Sequence, residues 1–429
     1  MYIKRLYLKN VRCFEKLEIN FDQPGSSILL LGDNGDGKST ILKSLAMGLC
    51  DDSSAAALFR ELQGEFVRRQ PDQETVPTGK YGFIEIDLID KGICKYRIET
   101  TIVSLKKFER VKQNLFIFEG QKWKQIEQDK FPWEKIFVSA YGPGVRTNAT
   151  SDFQHYLSVD AVYPLFSYSS PLQNPELVIH RLIAAARSKV ETPEEKDNQE
   201  NEVLNKIKNL MTVLLDLDSP DSFTLTPTGI KVTGRWGTSE LKELGDGYQS
   251  IINWILDLLS WWFLRENGKS KWDLESLSGI VLIDEIEQHL HPKWQRGIFP
   301  RLREKFPNIQ FIVATHSPLV ATANPDIDVH LLNKGERKVI NPFGWLAEDM
   351  YEEMGLPSSR SIEFEAEILS RYKVLTSKKL TTKLTTPEYD EFRKLKTILK
   401  GMPESDPIGL SLDIQSITNS LKKIKDDEK

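Results

Sequence analysis

One stretch constrains the fold more than any other. Gly32-Asp33-Asn34-Gly35-Asp36-Gly37-Lys38-Ser39 follows an apolar run, Ile28 to Leu31, and precedes a helix-like segment, Thr40 to Leu49. A buried strand must end here, a glycine-rich loop must turn, and a helix must begin. Glycines at 32, 35 and 37 let backbone N–H groups from Gly32 to Thr40 approach an anion closely, and the helix adds its positive N-terminus. In this pattern Lys38 is suited to reach the β- and γ-phosphates of a nucleotide, and the Ser39 hydroxyl is suited to ligate Mg²⁺.

Three further segments add to that chemistry. Ile280-Val281-Leu282-Ile283 reads as a buried strand ending in Asp284 and Glu285. Asp284 is placed to hold Mg²⁺, and Glu285 to take a proton from an attacking water. His316 directly follows the strand Phe311 to Ala314, where a parallel sheet opens onto its ligand crevice, so it can meet a γ-phosphate. Leu244-Gly245-Asp246-Gly247-Tyr248-Gln249-Ser250 opens a Trp-rich helix, and glycine N–H groups there form a second anion site through Gly245, Asp246 and Gly247. One phosphate group does not need two such loops in one chain. A dimer does, if each chain lends this loop to its partner's nucleotide.

At 429 residues the chain is too long for one hydrophobic core, and two or more lobes are expected. A net charge of -5 argues against nucleic-acid binding through overall charge, while a local basic patch stays open. Cys13, Cys50 and Cys94 stand far apart without a C-x-x-C pair, which fits a reducing compartment. Met1 to Leu6 alternates like a strand, not a signal peptide, and Ile251 to Leu264 is too short to span a membrane. The expectation is a cytoplasmic protein without a membrane partner.

Strand patterns are read over Tyr2 to Leu8, Leu17 to Phe21, Gly79 to Thr101 around a Lys91-Gly92 turn, Phe131 to Tyr141, and Phe223 to Arg235. Leu172 to Leu217 has a helical pattern interrupted by the polar run Glu191 to Glu202, which reads as a loop. Helices are expected over Gly247 to Leu264 and Trp294 to Phe306, with strands at Gly279 to Glu285, Ile309 to Ala314 and Val329 to Leu332. This alternation predicts a largely parallel sheet covered on both faces. The organisation expected is an ATPase lobe over 1–150, a helical insertion over 151–222, a second ATPase lobe over 223–344, and a helical partner or assembly region over 345–429.

The order of these motifs resembles an ABC-type ATPase: a Walker A loop at Gly32 to Ser39, a signature-like loop at Leu244 to Ser250, a Walker B strand at Ile280 to Glu285, and a switch histidine at His316. The wording is closest to the RecF/OLD-like soluble branch, through Leu8-Lys9-Asn10-Val11-Arg12-Cys13-Phe14, the block from Asp284 to Gln295, and Ala314-Thr315-His316-Ser317-Pro318. Ser139-Ala140-Tyr141-Gly142-Pro143 with Arg146 also resembles ATPases of bacterial anti-phage modules, notably the Septu type and its retron-associated forms. The tail, Ala347 to Met350 and Gly355 to Arg360, is similar to the same group.

The resemblance implies an α/β ABC-type ATPase head, a mixed or parallel sheet flanked by helices, with a helical insertion and a C-terminal helical extension. It implies ATP and Mg²⁺ as cofactors, and Lys38, Glu285 and His316 as catalytic groups. Ser39 and Asp284 become the metal ligands, and Asn10 and Arg12 border the nucleotide. It implies a homodimer or higher even oligomer, and a separate effector such as a nuclease, contacted through the insertion or the C-terminal region. The chain departs from the family at Gly245, where a serine is usual, and at Gln249, where a basic residue is frequent. Both departures point to slow turnover. Gln154 is the nearest candidate for the Gln-loop glutamine.

Other features receive structural readings. His289 and His291 lack further metal ligands nearby. Trp254, Trp261 and Trp262 have the spacing of a core helix face, not of a base-stacking platform. Asp326-x-Asp328 lacks the rest of a Toprim nuclease site. Arg371 to Lys400 holds nine Lys/Arg against three Asp/Glu, which reads as a solvated helical face and leaves DNA open as a partner. No long heptad run lies between Leu172 and Leu217, so no coiled-coil arm is expected. The rival readings are a RecF-like DNA repair ATPase, a transporter ATPase, and a non-hydrolysing module that only senses ATP.

Overall fold

The computed structural model describes residues 1–400 apart from 63–65, 71–75, 106–108, 144–149, 168, 227–228, 267–273, 356–360 and 362–363, and apart from the side chains of 365, 380, 381 and 400. Arg146, the stretch 356–360, the Pro227-Thr228 turn and the C-terminal 401–429 therefore lie outside the described residues. The chain divides into two compact units, Met1–Met350 and Tyr351–Lys429.

The first unit opens with the hairpin β1 (Tyr2–Val11) and β2 (Phe14–Asn20), then β3 (Ile28–Gly32), α1 (Lys38–Gly48) and α2 (Asp52–Glu61). Strands β4 (Tyr81–Asp90), β5 (Ile93–Ser104), β6 (Glu109–Glu119) and β7 (Lys122–Ile126) follow. The β4–β5 turn falls on Lys91 and Gly92, both at positive φ. These strands extend the opening hairpin into an antiparallel sheet ordered β2-β1-β4-β5-β6-β7. Only β4 and β5 of this extension were legible, so a largely parallel architecture describes half of the unit's main strand content.

The expected strand Phe131 to Tyr141 shortens to β8 (Val138–Tyr141). Pro132 removes a ladder donor, and the residues before β8 wind instead into short 3₁₀ turns. Then come β9 (Thr150–Ser151), α3 (Ser158–Val162), β10 (Leu172–Gln173), α4 (Pro175–Arg187) and α5 (Pro193–Leu215). The polar run Glu191 to Glu202 is not a loop. Thr192 and Glu195 form a capping box, Pro193 occupies the first helical position, and the run becomes the solvated start of α5.

Strands β11 (Phe223–Thr226), β12 (Gly229–Gly234) and β13 (Gly237–Glu240) form a small antiparallel sheet ahead of α6 (Asp246–Arg265). The rest of the unit is β14 (Gly279–Ile283), α7 (Pro292–Lys305), β15 (Ile309–Thr315), α8 (Pro318–Ala321), β16 (Asp328–Asn333) and β17 (Glu336–Ile340). The helix α9 (Ala347–Glu353) follows.

The second six-stranded sheet has the order β17-β16-β3-β15-β14-β8, and every pair is parallel except β16 with β17. Its strands β3, β14 and β15 are buried along their whole length, the pattern of a sheet covered on both faces. Helix α1 packs against strands of both large sheets, and Ile41, Leu42, Leu45 and Ala46 join residues of both in one continuous core. Trp254, Trp261 and Trp262 are buried on α6, which agrees with the core reading of that helix.

A buried polar knot fixes α6 to β8. Asp257 is fully buried and accepts hydrogen bonds from the Tyr141 hydroxyl (2.9 Å) and the Gln173 backbone N–H (2.8 Å). Burial pushes its carboxyl up to about 7. A pKa raised in the fold means that the native state holds a proton which the unfolded chain has already lost. Stability from this group is therefore full below the ordinary carboxylate range and declines as pH rises from about 4 to about 7, on the order of 1 kcal/mol per unit. Asp257→Asn should remove that slope, read as thermal midpoints of wild type and variant across pH 4 to 8.

In the second unit, α10 (Ser370–Thr381) and α11 (Thr386–Lys400) share a core of Leu375, Phe392, Leu395 and Leu399, with Tyr372 stacked on Phe392. Arg371 bridges Glu391 in a two-pronged pair at 2.8 and 2.9 Å, and Lys379 lies over the Phe392 ring. Part of the basic character read from 371–400 is thus engaged within the helix pair.

Candidate active site

The parallel registers place the functional side chains. Ile283 of β14 stands opposite Val313 of β15, and Thr315 opposite Leu31 of β3. Gly32, Asp284 and His316 therefore emerge at the same carboxyl edge of one sheet, where such sheets bind ligands. Tyr141 of β8 pairs with Ile283, which brings Gly142 and Pro143 to that edge too.

The loop after β3 is built for close backbone approach. Gly35 and Gly37 have φ of 89° and 99°, a region that disfavours side chains. A Cβ on Gly37 would meet Phe14 and Cys13 at 2.4 and 2.5 Å, so the tip of the first hairpin seats directly beneath the loop. Asp36 holds the loop closed by accepting from the Asp33 backbone N–H (2.7 Å) and the Lys334 N–H (2.9 Å). The Lys38 ammonium donates to the carbonyls of Gly32 (2.9 Å) and Asp33 (3.0 Å) and lies 3.4 Å from His316 Nδ1. Burial pulls its pKa down, while Asp284, Asp36, Glu287 and Asp33 hold it up.

Ser39 and Asp284 meet. Both wall the same cleft, and Asp284 is buried. Burial pushes the Asp284 carboxyl up, opposed by Ser39 and by the charges of Lys38, Lys43 and His316. Glu285 is half-buried at φ 51°, uncommon for a side chain of its size. Together Ser39, Lys43, Gly142, Phe166, Asp284 and Glu285 wall much of a cleft of about 70 Å³. The glycine cradle, a cation at its floor and a hydroxyl–carboxylate pair fit a magnesium nucleotide. Ser39 and Asp284 would hold the metal, and the loop N–H groups with Lys38 would hold the phosphates.

The structure adds residues that the motif order did not single out. Glu287 accepts from the Thr315 hydroxyl (2.7 Å) and the His316 N–H (2.5 Å), clamping the histidine loop to the loop after β14. Ser317 donates to Gln295 at 2.7 Å, a second tie to α7. Lys43 stands one helical turn beyond Ser39, a spacing that puts both on one face of α1 and was readable from the sequence. Phe166 lines the cleft without any motif to mark it.

Other candidates lie elsewhere. Gly245 and Asp246 are exposed at the start of α6, and none of Gly245, Asp246 or Gly247 is among the residues that wall the cleft. A Cβ on Gly247 would meet the His289 carbonyl at 2.7 Å, so close packing of α6 requires this glycine. Gln249 donates to the Leu244 carbonyl at 2.7 Å and braces the loop internally. Asn10 and Arg12 sit at positive φ in the hairpin tip. The Arg12 guanidinium lies over Phe66, and its charge helps depress the Lys43 pKa, after burial. Gln154 is exposed and donates to Asp152, away from the cleft lining. His291 caps α7 by accepting from the Lys293 N–H. No helix among the described residues is long and apolar enough to cross a membrane.

Fold and site together define a P-loop ATPase of the α/β class, and the family comparison agrees. A family model described as "AAA domain" matches residues 5–219, half of the chain, and the chain belongs to that family. A second AAA domain model, whose description also names the AbiEii toxin of a type IV TA system, matches 178–322. Among curated relatives, Septu protein PtuA of Bacillus mycoides (strain KBAB4) is 24% identical over 86% of this chain and 44% of its own length. "Retron Ec83 probable ATPase" of Escherichia coli is 25% identical over 86% of this chain and 79% of its own. "Retron Vc95 probable ATPase" of Vibrio cholerae serotype O1 biovar El Tor is 41% identical over 28% of this chain and 24% of its own. The chain thus spans less than half the length of the Septu relative. The resemblance read from the motifs, to ABC-type ATPases of Septu and retron systems, is borne out by these relatives. Among solved structures, the SMC head domain from Thermotoga maritima aligns at TM-score 0.42 and 13% identity, covering 80% of this chain and 99% of that one. A RecF structure aligns at TM-score 0.41 and 14% identity over 79% of this chain and 98% of that one.

Proposed function

We propose that this chain binds and slowly hydrolyses Mg-ATP in the cleft at the carboxyl edge of β3, β14 and β15. The observation that carries this reading is that Ser39 of the phosphate loop and Asp284 of the carboxylate strand wall one cleft beside Lys38, whose ammonium lies 3.4 Å from His316 Nδ1. Bound magnesium would supply charge neutralisation at the phosphates. Lys38 orients the phosphate chain, Glu285 takes the proton of the attacking water, and His316, held by Glu287, faces the terminal phosphate.

The loop at Gly245 to Gly247, exposed at Gly245 and Asp246, then completes the partner's site in a head-to-tail homodimer, because it lies outside its own chain's cleft lining. Residues 151–222 and 345–429 serve assembly and the docking of a separate effector, such as a nuclease, in an anti-phage role. The names of the relatives support that role. The test pairs phosphate release with mass measurement in ATP and without nucleotide. Hydrolysis together with ATP-dependent doubling of mass is expected, and neither occurring would overturn the reading.

Gly245 favours a second reading, in which ATP is mainly a sensed ligand. A serine there would offer a hydroxyl to the partner's γ-phosphate, whereas glycine offers only N–H. Nothing lies within 4 Å of a Cβ built on Gly245, so Gly245→Ser is accommodated. It should speed hydrolysis about tenfold, one charge-assisted hydrogen bond in the transition state. An unchanged steady-state rate would mean that backbone contacts suffice.

A further inference from the structure

Lys43 has a place in the nucleotide cleft and no task in the hydrolysis argued above. It stands on α1 one turn beyond Ser39, on the same face. Side chains on a helix lean toward its N-terminus, so the Lys43 stem leans back toward Ser39 and the phosphate loop. Its four carbons are about as long as one helical turn, ~5.4 Å, which is enough to bring the ammonium level with Ser39.

The cleft wall is short of positive charge. Among the described residues that line it, Lys43 is the cation, set against the carboxylates of Asp284 and Glu285. Lys38 is already engaged at the loop itself, with the carbonyls of Gly32 and Asp33. Among the described residues no hydrogen bond or ion pair takes up the Lys43 ammonium, which lies over the Phe166 ring, 5.9 Å from its centroid. An aromatic face holds a cation weakly and leaves its N–H donors available to a stronger acceptor. Burial pulls the Lys43 pKa down, with Arg12 adding to that and Asp284 opposing it. The Lys43 charge in turn helps hold the Asp284 carboxyl down, so ammonium and carboxylate lie within each other's field. A half-buried cation without a partner is costly, and an anionic ligand relieves that cost.

We infer that Lys43 determines nucleotide specificity in this cleft: its ammonium binds the γ-phosphate, which ATP carries and ADP lacks. The inference rests on the reading of the cleft as a Mg-ATP site. The γ-phosphate brings negative charge to a wall that already holds Asp284 and Glu285, and Lys43 is the wall residue that offsets it by a charge-assisted hydrogen bond. Lys43 thereby favours the ATP state of the protein over the ADP state.

The test titrates Mg-ADP and Mg-AMP-PNP, a non-hydrolysable ATP analogue, into the full-length protein by calorimetry. Lys43→Met keeps the stem and removes the charge, and Lys43→Arg keeps the charge. Lys43→Met should weaken AMP-PNP binding about tenfold or more and ADP binding less than about threefold, because the charge-assisted bond is made to the γ-phosphate alone. Lys43→Arg should retain most of the wild-type preference. Retained ADP binding also shows that the variant folds. Equal losses for the two nucleotides would mean that Lys43 acts through Asp284 or through the packing of α1, and would overturn the inference. Unchanged AMP-PNP affinity in Lys43→Met would overturn it too, as would an arginine variant as weak as the methionine one. Wild-type protein that binds neither nucleotide would instead bring down the Mg-ATP reading itself, and this inference with it.

Discussion

Lys38→Ala should lower affinity for Mg-ATP by about a hundredfold or more, to the point where binding is undetectable at ordinary protein concentrations. Two effects combine. The variant removes a cation that also braces the loop through the carbonyls of Gly32 and Asp33. It also strips a positive charge from beside Asp284, whose carboxyl is already pushed up by burial and held down in part by Lys38. A more protonated Asp284 is a poorer metal ligand, so magnesium affinity should fall together with nucleotide affinity. Calorimetric titration with ATP, with and without Mg²⁺, checks both. Retained ATP affinity would sink the phosphate-loop assignment. The fold should survive, because the core face of α1 rests on Ile41, Leu42, Leu45 and Ala46 and not on this lysine.

The sequence announces the parts of this cleft that a short segment can specify alone. Gly32 to Ser39 needs only a strand before it and a helix after it, and both were visible as an apolar run and a helical pattern. Asp284 and His316 were legible for the same reason, each following a buried strand. The local pattern could not show which strands lie side by side. Nor could it show that Glu287 reaches from the loop after β14 to the His316 N–H, because that contact depends on β14 and β15 being neighbours in register.

Phe166 walls the cleft from a turn with no motif at all, placed there by tertiary packing. Strands β6 and β7, the latter at the sheet edge, carry polar residues on both faces, and half-exposed strands of that kind give little periodic signal. The polar start of α5 was misread for the converse reason. A charged run looks like a loop unless its cap is noticed, and Thr192 to Glu195 spelled that cap.

Glu285→Gln should separate binding from turnover. The amide keeps the shape of the side chain but cannot accept a proton from water, and such a loss lowers turnover by about 10² to 10⁴. ATP affinity should hold, since the phosphate loop, Lys38 and Asp284 are untouched. The backbone supports giving Glu285 this role. A left-handed conformation at a non-glycine residue costs on the order of 1 kcal/mol, and surroundings must enforce it. Here the Glu285 carbonyl accepts from Gln288 N–H at 3.0 Å, and Ile286 N–H reaches the Ala314 carbonyl at 3.3 Å. The fold holds an unfavourable conformation just where a wall residue of the cleft follows the buried metal-side carboxylate. With hydrolysis blocked, ATP should accumulate on the protein, and a sandwich dimer should persist long enough to weigh by light scattering. A variant that stops turning over yet stays monomeric in ATP would leave the cleft assignment standing and overturn the shared-site model.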